Sequence, residues 1–160
     1  MNKHVQLLEL LGEKGLSLGS AESLTAGMFA SNVCDIPGAS NVFKGAIVAY
    51  DPAMKMRLLG VKQATLDTHG VVSHQVAAEM ARGGAKALGV DICVSCTGNA
   101  GPCVQEGGEP VGRVFVGVYY EGNTWTIPLQ LNGDRNAIRA QTVDAMVGLV
   151  LSLFPEIKNN

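Results

Sequence analysis

The sequence contains three polar clusters, each of which follows a predicted β-strand. They are residues 20–27, 50–55 and 95–102, and a fourth candidate cluster, residues 132–139, follows a predicted hairpin. In open α/β sheets, ligands bind outside the carboxyl ends of the strands. The shared position of the clusters therefore predicts a binding site at that edge of the sheet.

Ser23 in the first cluster is a candidate nucleophile. On a turn between a strand and a helix, the helix N-terminus can stabilise the anion that develops when a serine oxygen attacks. An ordinary helix N-cap is the alternative. The neighbouring Glu22 is a candidate base or orienting group, or a carboxylate that accepts hydrogen bonds from backbone amides or a basic side chain. No G-x-S-x-G motif is present, so the sequence does not favour a Ser-His-Asp triad.

A serine nucleophile without a histidine needs another base, and Lys55 is the candidate for that role. It lies in an otherwise apolar segment, and burial would lower its pKa from about 10.4 towards neutrality. A solvated lysine on a helix surface is the alternative. Tyr50 is a candidate hydrogen-bond donor to the serine or the substrate, or an aromatic residue at a strand end with a solvated hydroxyl.

Two further segments could bind an anion. Residues 97–102 are rich in glycine, so their backbone N–H groups could approach an anion or a carbonyl oxygen closely, and a structural turn is the alternative. They match neither a Walker loop nor a G-x-G-x-x-G fingerprint. Arg135 and Arg139 lie on one face near the start of a predicted helix. They predict a phosphate site, or solvated arginines that pair with Asp134 or nearby glutamates.

The composition excludes several classes of protein. The chain has 160 residues, of which 47% are hydrophobic, which favours one folded domain over a disordered chain. The net charge of −2 and the absence of a basic run give no support for nucleic-acid binding. Apolar runs are too short for a membrane helix, and the first residues do not resemble a signal peptide. We therefore expect a cytoplasmic protein that does not bind a membrane.

The four cysteines do not predict a metal site. Cys93 and Cys96 lie on a predicted strand, where residues three apart point to opposite faces, so they cannot bind one ion together. We interpret them as reduced, buried residues that pack like small hydrophobic side chains. The histidines share no ligand spacing with Cys34, Cys103 or a carboxylate cluster, and we predict that the protein binds no metal.

Hydrophobic periodicity predicts an α/β fold. Predicted helices cover residues 3–14, 25–34 and 52–60, with one further helix capped by Ser73 and a last one from Asp134 to about Leu153. Predicted strands cover residues 16–21, 42–50, 90–96, 112–121 and 124–131, the last two as a hairpin through residues 121–123. Pro128 places the last strand at a sheet edge. The order predicts a mixed sheet with helices on both faces.

Several motifs together resemble one family. They are residues 21–27 (AESLTAG), 37–40 (PGAS), 43–45 (FKG), Tyr50 with Lys55, 60–61 (GV), 69–73 (HGVVS), 97–102 (TGNAGP), 110–112 (PVG) and 133–135 (GDR) with Arg139. In this order they resemble the C-terminal domain of competence-damage-inducible protein CinA, a family that includes stand-alone nicotinamide mononucleotide amidohydrolases. The resemblance implies a single domain over residues 1–160, built as a three-layer α/β/α sandwich with a mixed, mostly parallel sheet.

The resemblance also implies an activity, namely hydrolysis of the carboxamide of nicotinamide mononucleotide to nicotinate mononucleotide and ammonia. It implies Ser23 as nucleophile and Lys55 as base in an acyl-enzyme mechanism, to which we add Tyr50 as an orienting group and backbone N–H groups at the helix start as oxyanion donors. We expect Thr97 and Gly98 at the carbonyl end of the pocket and Arg135 and Arg139 at the phosphate. The residues expected to contact substrate are Glu22, Thr25, Thr97, Gly98, Asn99, Ala100, Gly101, Arg135 and Arg139.

Two other functional classes remain open at this point. A non-catalytic module that binds a nucleotide or a protein partner could keep the same pocket, although a pure binder needs no buried lysine base. A structural interaction domain would instead expose an apolar patch. We expect a small pyridine nucleotide as ligand, no cofactor, and a homo-oligomer, since the apolar faces of the first and last helices could be core or interface.

Overall fold

Alternating strands and helices fold into one mixed sheet between two layers of helices. The computed structural model describes residues 2–104 and 108–155. In these ranges the strands are Leu18–Glu22 (β1), Phe43–Val48 (β2), Ile92–Gly98 (β3), Arg113–Tyr120 (β4) and Asn123–Gln130 (β5). The α-helices are Lys3–Lys14 (α1), Met28–Cys34 (α2), Pro52–Leu59 (α3), Gln63–His69 (α4), His74–Leu88 (α5) and Arg135–Ser152 (α6), and a 3-10 turn covers Ala39–Asn41.

The sheet has the strand order β2-β1-β3-β4-β5. β1 pairs in parallel with β2 and β3, whereas β4 is antiparallel to both β3 and β5, so only β4 runs against the other strands described. The carboxyl ends of β1, β2 and β3 therefore meet at one edge of the sheet. The predicted mixed, mostly parallel sheet is confirmed, and Pro128 lies on the edge strand β5, as predicted.

The two faces of the sheet have separate apolar cores. One core joins α1, α2 and α6 to side chains such as Val94 and Cys96, and the other joins α3 and α5 to Cys93. Adjacent β3 residues point to opposite faces, so Cys93 and Cys96 are buried on different sides of the sheet, as predicted. The apolar faces of α1 and α6 pack within the chain, and the homo-oligomer stays a prediction.

Helix caps were the most accurate of the predicted boundaries. The predicted caps Ser73 and Asp134 accept hydrogen bonds from the first-turn N–H groups of α5 and α6. Asp51 does the same for α3, and Gly60 ends that helix with a φ of 70°. These contacts fix the start of α3, the helix that carries Lys55.

The start of one helix was predicted wrongly, and another helix was missed. α2 begins at Met28 instead of Thr25, because residues 24–27 form a turn whose geometry depends on a buried side chain described below. α4, Gln63–His69, was not predicted at all. It has no buried residue, so its sequence carries no apolar periodicity from which a helix could be inferred.

Gly83 allows α5 to lie directly against the end of α3. A Cβ atom at position 83 would overlap the carbonyl oxygen of Leu59, a backbone atom that cannot rotate away. We expect Gly83→Ala to lower the free energy of unfolding by about 1–3 kcal/mol, measured by urea denaturation. Gly148→Ala is the matched control, because a Cβ in α6 meets no atom within 4 Å. That control should gain about 0.5–1 kcal/mol from helix propensity, and equal effects at both positions would contradict the packing argument.

Candidate active site

A cavity of about 770 Å³ lies at the carboxyl ends of the parallel strands. Ser23 follows β1, Tyr50 follows β2, and residues 98–101 follow or end β3, so the parallel pairing brings the predicted clusters together. The cavity lies in the volume range of small-molecule sites. Among its lining residues are eight of those predicted from the sequence: Ser23, Tyr50, Lys55, Gly98, Asn99, Ala100, Gly101 and Arg135.

Ser23 and Lys55 form a direct pair in the floor of this cavity. The Lys55 Nζ lies 2.8 Å from Ser23 Oγ, and it donates to the carbonyl oxygens of Ala49 at 2.8 Å and Tyr50 at 3.3 Å. Lys55 is fully buried, so the interpretation of a solvated surface lysine is wrong. Burial lowers the pKa of Lys55 to about 8, against smaller opposing effects of Cys96 and Asp51.

The surroundings of Lys55 satisfy the amine in both protonation states. An ammonium group has three N–H donors, and the three acceptors are Ser23 Oγ and two carbonyl oxygens. A neutral amine keeps two N–H donors for the carbonyls and turns its lone pair to the Ser23 hydroxyl, which then donates. A proton can therefore move between Ser23 and Lys55 without leaving a buried polar group unpaired.

Glu22 is fully buried behind Ser23 and does not line the cavity. Its two carboxyl oxygens accept hydrogen bonds from two hydroxyls and from backbone N–H groups at the start of α2. The donors are Ser20 Oγ (2.9 Å), Thr25 Oγ1 (2.7 Å) and the N–H groups of Gly27 (3.2 Å), Phe29 (3.0 Å) and Ala30 (3.2 Å). The bonding to backbone amides is confirmed, and the expected substrate contact is not found. The expected oxyanion donors at this helix start are likewise already occupied.

Two predicted threonines also lie outside the cavity. Thr25 is buried and donates to Glu22, and Thr97 is buried and donates from Oγ1 to the carbonyl oxygen of Val71 at 2.9 Å. Because Val71 lines the cavity, Thr97 supports the wall from behind. Neither threonine side chain is placed to contact a ligand.

Arg135 lies in the first turn of α6 and lines the cavity. Its guanidinium donates to the carbonyl oxygen of Gly101 and, at 2.9 Å, to the hydroxyl of Tyr50. The Tyr50 hydroxyl thus faces Arg135 instead of Ser23. Arg135 is exposed, as the alternative interpretation expected, whereas Asp134 caps α6 by accepting the N–H of Ala137, and no pairing of Asp134 with Arg135 is found among the described residues.

Arg139 is half-buried and has different partners. Its Nε donates to the carbonyl oxygen of Leu24 at 2.8 Å, and its Nη2 donates to that of Thr25 at 3.1 Å. Arg139 does not line the cavity within the described residues. The expected phosphate contact is therefore not found for Arg139, which instead holds the turn that carries Ser23.

The sequence did not predict every wall of the cavity. His69 ends α4, Val71 and Val72 follow that helix, and Cys103 and Glu109 come from the loop before β4. Residues 69–73 belong to the motifs that carried the family resemblance, which was a signal that the segment matters. Its position stayed hidden because α4 was not predicted.

Metal-binding clusters and membrane-spanning helices are two other features that the described residues could contain. Across residues 2–104 and 108–155, no group of three or more histidine, cysteine, aspartate or glutamate side chains is arranged to hold a metal ion. Of the helices in the same ranges, none combines the length and the apolar character needed to cross a bilayer.

A family model of the CinA C-terminal domain matches residues 2–154 of the chain. The chain belongs to the CinA C-terminal domain family. Among relatives of this domain, the CinA-like protein of Kosmotoga olearia is 46% identical over 133 residues, which are 83% of this chain and 32% of that protein. The CinA-like protein of Dictyoglomus turgidum is 44% identical over 139 residues, 85% of this chain and 33% of that protein. The chain therefore spans about one third of the length of these relatives.

Solved structures of CinA proteins have the same fold. A CinA superfamily protein from Escherichia coli superposes with a TM-score of 0.92 at 31% identity, over 96% of this chain and 89% of that one. The competence/damage inducible protein CihA from Agrobacterium tumefaciens gives a TM-score of 0.90 at 30% identity, over 94% of this chain and 93% of that one. The α/β class and the CinA resemblance inferred from the sequence motifs are confirmed.

Proposed function

We propose that this CinA domain is an amidohydrolase that converts nicotinamide mononucleotide to nicotinate mononucleotide and ammonia. The observation that carries the proposal is the 2.8 Å contact between Ser23 Oγ and the buried Lys55 Nζ at the floor of the cavity. A protein that only binds a nucleotide does not need a lysine whose pKa is lowered to about 8.

The first half of the proposed reaction forms an acyl-enzyme. Neutral Lys55 takes the Ser23 hydroxyl proton while Oγ attacks the carboxamide carbon. The tetrahedral intermediate collapses with cleavage of the C–N bond, and Lys55 gives its proton to the nitrogen, which leaves as ammonia. We assign the oxyanion to the backbone N–H of Leu24, because Leu24 is a cavity-lining residue and its N–H donates to no backbone acceptor within residues 2–104 and 108–155.

The second half of the reaction hydrolyses that ester. Lys55 takes a proton from a water molecule, whose oxygen attacks the acyl carbon. The bond between the carbon and Ser23 Oγ then breaks, and Oγ recovers the proton from Lys55. Nicotinate mononucleotide, formed as a carboxylic acid, gives its remaining carboxyl proton to solvent and leaves as a carboxylate, and both side chains return to their starting states.

The cavity walls favour one orientation of the substrate. Ser23 lies at the floor, and Arg135 lines the wall near Tyr50 and Gly101. Gly101 and Tyr50 take two of the five N–H donors of the Arg135 guanidinium, so three donors remain for a phosphate. The carboxamide would therefore point to Ser23 and the phosphate to Arg135.

The proposal predicts a specific pH dependence. Only the neutral form of Lys55 can accept the Ser23 proton, and its fraction increases with pH. We expect kcat/KM for ammonia release to rise by about tenfold per pH unit below the Lys55 pKa, which is about 8, and to level off above it. A profile measured from pH 6 to 10 checks this. A rate that is flat or falls over that range would contradict Lys55 as the base.

The test of the function is ammonia release from nicotinamide mononucleotide by the wild-type chain, with nicotinate mononucleotide identified by chromatography. Binding of the same nucleotide is measured in parallel by calorimetry. Stoichiometric ammonia and nicotinate mononucleotide would support the amidohydrolase. Binding without ammonia would favour the non-catalytic nucleotide-binding module instead.

A further inference from the structure

The turn that carries Ser23 is held from two sides. Residues 24–27 form neither helix nor strand, although Ser23 must keep its oxygen within 2.8 Å of Lys55. From inside the fold, Glu22 accepts the N–H of Gly27. From α6, Arg139 donates to two consecutive carbonyl oxygens. Glu22 therefore holds an N–H group of this turn, and Arg139 holds two of its carbonyl groups.

The backbone of this turn needs such restraint. Ala26 has a φ of 49°, in the left-handed region that residues with a Cβ atom rarely occupy. A strained conformation persists only where its surroundings fix it. The donations of Arg139 to Leu24 and Thr25 fix two of the three peptide groups between Ser23 and Ala26, namely Leu24–Thr25 and Thr25–Ala26.

We propose that Arg139 is a positioning residue, which keeps Ser23 in contact with Lys55, and is not a ligand for the phosphate of the substrate. The inference rests on the proposed function, because it assigns Arg139 a part in Ser23 reactivity. Nη1 of Arg139 lies 3.3 Å from Asn136 Oδ1, so each of its three guanidinium nitrogens already has a partner. Arg135, one helical turn earlier, lines the cavity where Arg139 does not.

The effect of losing Arg139 should fall on the chemical step. A misplacement of about 1 Å in a reacting group can lower a rate by about 10²-fold. Without Arg139, the Leu24 carbonyl loses its donor, the Thr25 carbonyl keeps only the N–H of Met28, and Ser23 Oγ samples positions away from Lys55. Both acylation by a substrate and reaction with any electrophile at Ser23 become slower.

The experiment measures the rate at which a fluorophosphonate probe labels Ser23, followed by intact mass. In this step a bond forms between Ser23 Oγ and phosphorus, the P–F bond breaks, fluoride leaves and the serine proton passes to Lys55. We expect Arg139→Gln to slow labelling by about 10–100-fold. Arg82→Gln is the matched control, because Arg82 also donates to a backbone carbonyl, that of Gly122, at the other end of β4, and it should label at the wild-type rate.

Steady-state kinetics provide a second test, because loss of a positioning residue and loss of a phosphate-binding residue should change kcat and KM differently. Arg139→Gln should lower kcat equally for nicotinamide mononucleotide and nicotinamide riboside, which lacks the phosphate, with KM unchanged. Arg135→Gln should raise KM for the nucleotide alone. Arg139→Lys can restore one donor, so it should recover part of the labelling rate. It also replaces Arg139→Gln as the test variant if the glutamine variant folds poorly.

The outcomes separate this inference from the proposed function. Equal labelling of wild type and Arg139→Gln, or a rise in KM confined to the nucleotide, would overturn the positioning role alone. Labelling of Ser23 without ammonia release would contradict the amidohydrolase while the labelling rates still decide the role of Arg139. Failure of the wild type to label at Ser23 would overturn the nucleophile and the inference together.

Discussion

Replacement of Ser23 by alanine is expected to lower kcat for ammonia release by about 10³-fold or more. The substitution removes the oxygen that forms the acyl-enzyme in the proposed mechanism and leaves the cavity walls in place. Ser23 is nearly buried and its hydroxyl touches Lys55, so alanine changes little of the exposed surface. The measurement is initial ammonia release, with nucleotide binding by calorimetry as the check that the pocket is intact.

The control for that variant is Ser31→Ala. Ser31 is an exposed residue of α2, outside the cavity, and its substitution should leave kcat unchanged. Full turnover by Ser23→Ala would exclude a covalent mechanism through this serine. If Ser23→Ala lost both nucleotide binding and turnover, the pocket itself would be damaged. That result would not support Ser23 as the nucleophile.

Replacement of Lys55 by methionine is expected to lower kcat by about 10²–10⁴-fold, the usual contribution of a general base. Methionine fills most of the same buried space but cannot accept the serine proton. The rise in rate up to the Lys55 pKa of about 8 should also disappear, because the titrating group is gone. The readouts are kcat and the pH profile of kcat/KM.

Lys44→Met is the control for Lys55→Met. Lys44 is an exposed lysine whose Nζ also donates to two backbone carbonyls, those of Ser40 and Asn41, and its loss should not affect turnover. Combining Ser23→Ala with Lys55→Met should cost little more than Ser23→Ala alone, because residues that act as one unit are not additive. If the double variant instead lowered kcat by the product of the two single-variant effects, Lys55 would act independently of Ser23.

The architecture could be predicted because its signals are local. Turn residues and apolar periodicity mark the strands, and Asp51, Ser73 and Asp134 mark helix starts. The grouping of three polar clusters at one edge then follows from parallel pairing of β1 with β2 and β3. The start of α2 was misplaced because Glu22, outside the helix, bonds its first N–H groups.

The burial of Lys55 could not be predicted from its own segment. Its neighbours Met54 and Met56 are equally compatible with an exposed helix. What buries Lys55 is the packing of α3 beneath the loops at the strand ends, and that packing requires the close approach of α5 at Gly83. Long-range contacts of this kind leave no local pattern.

The different environments of Arg135 and Arg139 could not be predicted from the sequence either. Their spacing of four residues places both on one helix face, which predicts the same environment for each. In the fold, the first turn of α6 faces the cavity, whereas the next turn faces the carbonyls of Leu24 and Thr25. One helical turn, a rise of about 5.4 Å, therefore separates an arginine that lines the cavity from an arginine that bonds the backbone of the turn.

The carboxyl group of Glu22 has a consequence for the direction in which a substrate enters. In many α/β proteins, the helix after the first strand binds the phosphate of a nucleotide through its free N–H groups. Here the N–H groups of Gly27, Phe29 and Ala30 already donate to the carboxylate of Glu22, so they are not available to a phosphate. A phosphate that approached the start of α2 would find these three N–H groups already occupied. For the proposed substrate, we therefore expect the base to enter first and the charged end to stay near Arg135.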